Sequence, residues 1–334
     1  GCIEYQIKPI NSNAEIVFSP YLDAGVHNED ANWEERFWET LDVKYFGNQG
    51  FITARTYKTG FVATAFMDNS IWLNGENLNQ NPVQVHQSDD KIIFDYKTQV
   101  AQNQTVSIQK IGGYTVSLNH DDTQISAEKV IEKVLETGFA TMLENQKQAW
   151  ARIWEMSDIT IDGDVKAQQG IRFNIFQLNQ TYLGKDSRLN IGPKGFTGEK
   201  YGGSTYWDTE AYCIPFYMAT KDQQVARNLL VYRYNQLDKA IENAQKLGFR
   251  NGAALYPMVT MNGEECHNEW EITFEEIHRN GAIAFAIFNY YRYTGDYSYI
   301  PEKGLEVLIG IARFWHQRAS FSTHKNKFMI LGVT

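Results

Sequence analysis

The hydrophobic period of this 334-residue chain changes near Ser126, and this change constrains the fold more than any other feature. Before it, short apolar segments alternate with turns. Phe51–Tyr57 and Phe61–Phe66, for example, are separated by a spacing typical of a β-hairpin. After it, apolar residues recur every three or four positions, which indicates amphipathic helices. Short strands with frequent turns favour a sandwich over alternating β and α units. The chain is therefore predicted to be a β-sandwich followed by helices.

The helical part begins with a long stretch that we interpret as a linker. Ser126 is a plausible N-cap, apolar residues recur from Val130 to Trp154, and Gly138 is expected to break the stretch. The predicted parts are, in order, a β-sandwich domain, a helical linker and the first part of a helical barrel: residues 1–122, 123–162 and 163–334.

Further helices are predicted from their ends. One ends before Gly248, which occupies a C′ position, and another runs from about Glu271 to Tyr293 and ends at Gly295. A third starts near Pro301, a good first-turn residue. Long loops on a helical scaffold usually carry function. Two such loops are rich in glycine, asparagine and aromatic residues: 185–206 and 249–270.

Charge and composition exclude two classes of partner. The net charge is −9 and no Lys- or Arg-rich run is present, whereas a protein that binds a nucleic-acid backbone needs a basic face. No run of about 18 apolar residues is available to span a membrane. The three cysteines form no CxxC motif, which favours free thiols and a reducing, cytoplasmic location.

The first candidate site is the glycine-rich loop that runs from Gly192 into Tyr206, Trp207 and Asp208. Five glycines within twelve residues allow the backbone to approach a neighbour closely. An aromatic ring beside a carboxylate suits a sugar, because the ring stacks on one sugar face and the carboxylate binds hydroxyls. Aromatic residues make up 14% of the chain, which is compatible with a carbohydrate site and equally with an aromatic core. A plain surface loop remains the alternative, and neither GxxxxGK[ST] nor GxGxxG occurs here to bind phosphate.

The second candidate site lies between residues 263 and 279. Glu271, Glu275 and His278 share one face of a predicted helix. A di-iron bundle needs two Glu-x-x-His pairs on different helices, so a metal site is the weaker interpretation. Glu275, Glu276 and Arg279 could instead form a solvated face, an interpretation that we favour for Glu276. Residues before this helix are better candidates for contacts with sugar hydroxyls: Glu264, Glu265, His267 and Glu269.

A glycosidic bond is generally cleaved with a carboxylic acid that protonates the leaving oxygen, and inverting enzymes add a nucleophile from the opposite face. No Gly-x-Ser-x-Gly elbow in the sequence offers a different chemistry.

At these segments the sequence resembles glycoside hydrolase family 65. The loop Gly195–Tyr201, together with Tyr206–Glu210 and Pro215–Tyr217, is similar to the signature loop of that family. Cys266–Arg279 resembles the form found in members that act on maltose, whereas members that act on trehalose or kojibiose differ there. Two shorter segments also fit: Tyr293–Asp296 and Ile311–Trp315.

The resemblance implies a β-sandwich, a helical linker and the first part of an (α/α)6 barrel. It also implies inverting phosphorolysis of maltose, or of a similar α-glucoside, to glucose and β-D-glucose 1-phosphate. Inorganic phosphate would be a co-substrate, with no cofactor or metal, and similar enzymes are often homodimers. Trp207 and Asp208, with the adjacent Tyr206, would bind the non-reducing glucose. A second segment would shape the subsite that selects the acceptor sugar, through Glu264, Glu265, His267, Glu269 and Glu271.

The general acid of the family is expected in a motif that follows Leu331–Thr334, so the resemblance places it outside this chain. We therefore expect a chain truncated at both ends and inactive by itself. The alternatives are a trehalose or kojibiose phosphorylase, a hydrolase of the same family, and a non-catalytic carbohydrate-binding protein.

Overall fold

The predicted change from strands to helices is confirmed, and the first helix begins at Thr123. The computed structural model describes residues 1–27, 35–193, 195, 203–266 and 271–333. The chain divides into two units, Gly1–Trp150 and Ala151–Thr334. The boundary falls inside a helix of the stretch interpreted as a linker.

The first unit is built from two antiparallel sheets. Its strands are β1 Cys2–Ile7, β2 Ala14–Phe18, β3 Tyr21–Asp23, β4 Trp38–Phe46, β5 Gln49–Thr56, β6 Val62–Leu73, β7 Glu76–Asn77, β8 Gln84–Gln87, β9 Lys91–Val100 and β10 Val106–Val116. The larger sheet has the order β1-β10-β6-β5-β4, with β7 paired to β6. The smaller sheet has the order β2-β9-β3, with β8 also paired to β9. The hairpin predicted from the sequence is β5 and β6, which pair in antiparallel register.

The core of this unit lies between the two sheets. Alternation along β9 buries Ile92, Phe94 and Tyr96, because successive side chains of a strand point to opposite faces. They pack against Met67 and Ile71 of β6, which are fully buried. Burying each such side chain stabilises the fold by about 1.5 to 3 kcal/mol.

Helix α1 (Thr123–Thr137) packs against β6 and β10. Its buried residues Ala127 and Ile131 join a cluster with Phe66, which points to the opposite face of β6 from Met67. This helix therefore packs on the sheet of the first unit.

The ends of α1 partly match the prediction. The N-cap is Asp122, not Ser126, and its carboxylate accepts a hydrogen bond of 2.9 Å from the backbone N–H of Ile125. Gly138 ends the helix at a φ of 75°, as predicted, and α2 (Phe139–Ser157) follows directly.

The second unit is helical. Its helices are α3 Val165–Thr181, α4 Ile214–Thr220, α5 Gln223–Tyr234, α6 Leu237–Lys246, α7 Ile272–Glu275, α8 His278–Thr294 and α9 Leu305–Arg318. Two π-helical segments precede α4 and α9: Thr209–Cys213 and Ile300–Gly304. A short hairpin of β11 (Ser320–Ser322) and β12 (Lys327–Met329) follows α9. None of the helices in the described ranges is long and apolar enough to cross a membrane.

Gly248 and Gly295 follow α6 and α8 at positive φ, as predicted. The helix predicted from Glu271 to Tyr293 is instead broken, because α7 is a single turn and α8 begins at His278. The buried guanidinium of Arg279 explains the break. It donates to the carbonyl oxygens of Thr273 and Glu276 at 2.7 and 2.9 Å, and these are acceptors that a continuous helix would use itself.

Candidate functional site

The two long loops predicted to carry function meet at an antiparallel bridge between Thr205 and Thr260. Their backbone N–H···O distances are 2.7 and 3.1 Å. The Tyr232 hydroxyl lies 3.2 Å from the Thr205 hydroxyl and donates to the carbonyl of Met261 at 2.9 Å. The bridge therefore fixes the backbone immediately before Trp207.

Two of the three described glycines of the first loop make the close approaches that their spacing predicts, whereas a Cβ on Gly203 would meet nothing within 4 Å. A Cβ on Gly192 would lie 2.4 Å from the carbonyl oxygen of Ser204. Gly195 has a φ of 59°, and a Cβ there would lie 2.7 Å from the Thr181 hydroxyl. Residues 194 and 196–202 of this loop lie outside the described ranges.

Trp207 and Asp208 follow the bridge and are partly exposed. The indole lies between two rings: Tyr212 at a centroid distance of 6.0 Å and His278 at 5.1 Å. Within the described ranges, the Asp208 carboxylate has no hydrogen-bond donor. An aromatic ring beside an unengaged carboxylate can stack on a sugar ring and accept hydrogen bonds from its hydroxyls.

The chain turns directly after Asp208 into the π-helical segment Thr209–Cys213. The N–H of Ile214 donates to the carbonyl of Thr209, five residues earlier. Pro215 follows, which has no N–H to donate and whose ring crowds the carbonyl four residues before it. π-Helical turns are rare in proteins overall, and those that do occur are often found at functional sites.

A buried ion pair ties this turn to helix α5. The guanidinium of Arg233 donates to both carboxylate oxygens of Glu210, at 2.7 and 3.0 Å, and to the carbonyl of Tyr206 at 3.3 Å. Burial lowers the pKa of Arg233, but the Glu210 carboxylate, together with Tyr232 and Tyr256, raises it, and the net direction is upward. Arg233 therefore stays protonated.

Arg279 and Asn280, at the start of α8, hold the second loop. Arg279 donates to the Tyr256 carbonyl at 2.5 Å. The side-chain amide of Asn280 accepts a hydrogen bond from the Tyr256 N–H at 3.0 Å and donates one to the Ala254 carbonyl at 2.8 Å. Burial lowers the pKa of Arg279 to about 10, which still leaves it protonated at neutral pH.

Glu265 accepts hydrogen bonds from the backbone N–H groups of Met258 and Val259, at 2.6 and 3.1 Å. Glu264 is exposed and pairs with Lys239 at 3.0 Å, which lowers the pKa of the carboxylate. Both carboxylates therefore have protein partners in addition to any sugar contact.

The other predicted site residues are distributed as follows. Glu271 is exposed and directly precedes α7. Tyr206 is partly buried and its carbonyl accepts from Arg233. His267 and Glu269 lie outside the described residues. The roles of these residues in binding a sugar stay predictions.

The ion pair of Arg233 with Glu210, and the contact of His278 with Trp207, were not predicted as site features. The first carried a signal, because Arg233 lies on the same helical face as Ala226, Leu229 and Leu230, and a charged residue in a buried face requires a partner. His278 carried no comparable signal. Across the described ranges, no cluster of three or more His, Cys, Asp or Glu side chains is suited to hold a metal ion.

The sequence matches two family profiles over most of its length. Residues 1–153 match the glycosyl hydrolase family 65 N-terminal domain, and residues 172–334 match the central catalytic domain of the same family.

Named relatives and a solved structure agree with these matches. The chain is 45% identical to maltose phosphorylase of Bacillus subtilis (strain 168), over 99% of this chain and 43% of that protein. It is 32% identical to an α,α-trehalose phosphorylase of Thermoanaerobacter brockii, over 100% of this chain and 44% of that protein. A solved structure assigned as a kojibiose phosphorylase from the human microbiome superposes with a TM-score of 0.87 at 26% identity, covering 100% of this chain and 43% of that chain. The chain thus spans less than half the length of these relatives.

Proposed function

The chain belongs to glycosyl hydrolase family 65, and from this premise we propose that the complete protein is an inverting disaccharide phosphorylase that acts on maltose. Its products would be glucose and β-D-glucose 1-phosphate. The observation that carries the proposal is the partly exposed indole of Trp207 beside the Asp208 carboxylate, which has no hydrogen-bond donor within the described ranges.

In this proposal Trp207 stacks on the glucose ring whose anomeric carbon reacts, and Asp208 accepts hydrogen bonds from its hydroxyls. A phosphate oxygen attacks that carbon from the face opposite the glycosidic oxygen, the carbon–oxygen bond to the second glucose breaks, and a carboxylic acid protonates the leaving oxygen. Phosphate takes the place of the activated water of an inverting hydrolase, so no catalytic base is needed. The acid and the phosphate-binding residues are expected outside this chain.

Maltose is proposed over trehalose and kojibiose for two reasons. The identity of 45% to a maltose phosphorylase exceeds the 32% to a trehalose phosphorylase and the 28% to a kojibiose phosphorylase from Halothermothrix orenii, each over nearly the whole chain. The segment Cys266–Arg279 also resembles the maltose form. The (α/α)6 barrel and the homodimer are further parts of this proposal.

The decisive experiment measures glucose release by the complete protein from maltose, trehalose and kojibiose, each with and without inorganic phosphate. We expect release from maltose only when phosphate is present, with the sugar phosphate identified as the β anomer by NMR. Release without phosphate would make the protein a hydrolase, and release from trehalose or kojibiose would reassign the substrate. Binding of maltose without any product would indicate a non-catalytic carbohydrate-binding protein.

A further inference from the structure

We propose that Arg233 is a positioning residue for Trp207 and Asp208, which it orients through the backbone on both sides of them. The proposal rests on the proposed function, because it assigns Trp207 and Asp208 to the sugar. Arg233 itself lies on helix α5 and is buried, and within the described ranges it makes no hydrogen bond to either side chain.

The geometry of the guanidinium supports this role. Nε and Nη2 of Arg233 bind the two carboxylate oxygens of Glu210, at 2.7 and 3.0 Å, while Nη2 also reaches the Tyr206 carbonyl at 3.3 Å. Glu210 and Tyr206 flank Trp207 and Asp208 in sequence. One planar group therefore holds the chain on both sides of the two proposed sugar-binding residues.

The side chains of the site depend on such backbone anchors. The Asp208 carboxylate receives no hydrogen bond from a described residue, so the position of its backbone bears directly on where the carboxylate points. That backbone leads into a π-helical turn, a conformation that is rare in proteins. The stretch is also held upstream by the bridge of Thr205 to Thr260, and next to Asp208 by the Thr209 hydroxyl, which lies 2.6 Å from the Ile191 carbonyl oxygen. Neither of these contacts holds Tyr206 and Glu210 together, so losing Arg233 would loosen the backbone on both sides of Trp207 and Asp208.

A purely stabilising role explains the pair less well. Replacing a buried ion pair by apolar side chains is often neutral or stabilising, so burial of these charges is weak evidence for stability. Nη1 of Arg233 is also buried, and among the described residues it has no hydrogen-bond partner, which is a cost that an apolar side chain would not carry. The planar guanidinium of Arg233 instead presents its donors in a fixed geometry that matches both acceptors, which a lysine ammonium does not reproduce.

The test is a double-mutant cycle in the complete protein that combines Arg233→Lys with Asp208→Asn, read as kcat/KM for maltose at saturating phosphate. We expect Arg233→Lys to lower kcat/KM by about tenfold or more, mainly through kcat, when Asp208 is present. In the Asp208→Asn background the same change should cost about threefold or less, because only Trp207 then depends on the orientation that Arg233 imposes. An equal factor in both backgrounds would overturn the proposal.

Arg227→Lys is the matched control. Arg227 lies on the same helix and also binds two carboxylates, Asp296 at 3.1 Å and Glu302 at 2.5 Å, and neither of these contacts involves Trp207 or Asp208. It should change kcat/KM by about threefold or less in either background. Thermal midpoints of all variants establish that the compared proteins are folded.

Two further measurements cover the remaining outcomes. If Arg233→Lys shows no cooperative thermal transition, the cycle is run with Glu210→Gln, which keeps the shape of the acceptor and one of its oxygens. If the wild-type protein shows no phosphorolysis, the proposed function fails, and the cycle is read as glucose affinity by calorimetry. Equal factors in both backgrounds would then overturn the positioning role as well.

Discussion

The rings of Trp207 and His278 pack edge to face, with centroids 5.1 Å apart and planes at 89°. The two residues come from different candidate segments, one after the glycine-rich loop and the other at the start of α8. Their contact brings together the two segments that were singled out in the sequence. The side chain of His278 is exposed, and Trp207 is partly exposed beside it.

We predict that His278→Ala weakens maltose binding while His278→Phe retains most of it. Phenylalanine preserves an edge-to-face partner for the indole, and aromatic pairs contribute about 0.5 to 1.5 kcal/mol beyond their buried area, or about two- to tenfold in affinity. Calorimetric titration of the complete protein with maltose measures this. His316→Ala, at an exposed position near the end of α9, is the control. Equal losses for both His278 variants would show that a ring nitrogen, rather than the ring contact, is what matters.

Asp208→Asn should lower kcat/KM for maltose phosphorolysis by at least about tenfold, on the order of 1.4 kcal/mol. The amide keeps the shape of the side chain but loses the charge that strengthens hydrogen bonds from sugar hydroxyls. Steady-state kinetics with maltose and phosphate check this, and Asp238→Asn, at an exposed position in the first turn of α6, is the control. Unchanged kinetics for Asp208→Asn would remove this residue from the site.

Local signals predicted the architecture well. The alternating pattern before residue 120 gave the strands, and glycines marked the ends of α1, α6 and α8 because each adopts a positive φ that other residues avoid. The N-cap of α1 was misplaced by four residues, since both Asp122 and Ser126 suit the position and only the tertiary packing of Ala127 and Ile131 decides between them.

The site was predicted only in part because its geometry depends on contacts between distant segments. The Trp207–Asp208 pair was recognisable from adjacent residues. The partners of Glu264 and Glu265 were not, since Lys239 and the backbone at 258–259 approach them only in the folded chain. Arg279 donates hydrogen bonds to two backbone carbonyls and thereby breaks the predicted helix. For the same reason, these bonds cannot be inferred from helical periodicity.

Asp68→Asn should stabilise the sandwich unit above pH 6. Burial raises the pKa of Asp68 to about 6, although a hydrogen bond from Gln49 partly opposes this. The folded-state pKa lies above the unfolded value of 3.8, so ionising Asp68 is less favourable in the folded protein. The free energy of unfolding of the wild-type protein therefore falls as the pH rises from about 4 through 6. The amide removes this cost, so we expect a gain of about 1 to 2 kcal/mol at pH 7.5 and little gain near pH 3.5.

Urea denaturation at the two pH values measures this difference. Asp89→Asn, at an exposed position in the same unit, should have no such pH-dependent effect. A gain for Asp68→Asn that is equal at both pH values would show that ionisation of Asp68 is not its source.

Ionisation of Asp296 should stabilise the fold, whereas ionisation of Asp68 destabilises it, because the contacts of Asp296 favour its charged form. Hydrogen bonds from the Ser298 hydroxyl at 2.6 Å, the Tyr290 hydroxyl at 2.8 Å and Arg227 at 3.1 Å outweigh burial and lower the pKa of Asp296 to about 2. The stabilisation is therefore fully present above the unfolded pKa of 3.8 and is lost as the pH falls through about 2.

Asp296→Asn should accordingly lower the free energy of unfolding by about 1 kcal/mol at pH 6, a value that allows for solvent screening. The difference from wild type should shrink as the pH falls from 4 towards 2, because the wild-type carboxylate then becomes protonated. Glu302→Gln is a matched control, since Glu302 also binds Arg227 but is half exposed, and its effect should be below about 0.5 kcal/mol. Thermal unfolding across this pH range tests the prediction, and a difference that stays constant from pH 6 to pH 2 would mean that Asp296 acts through its shape and not through its charge.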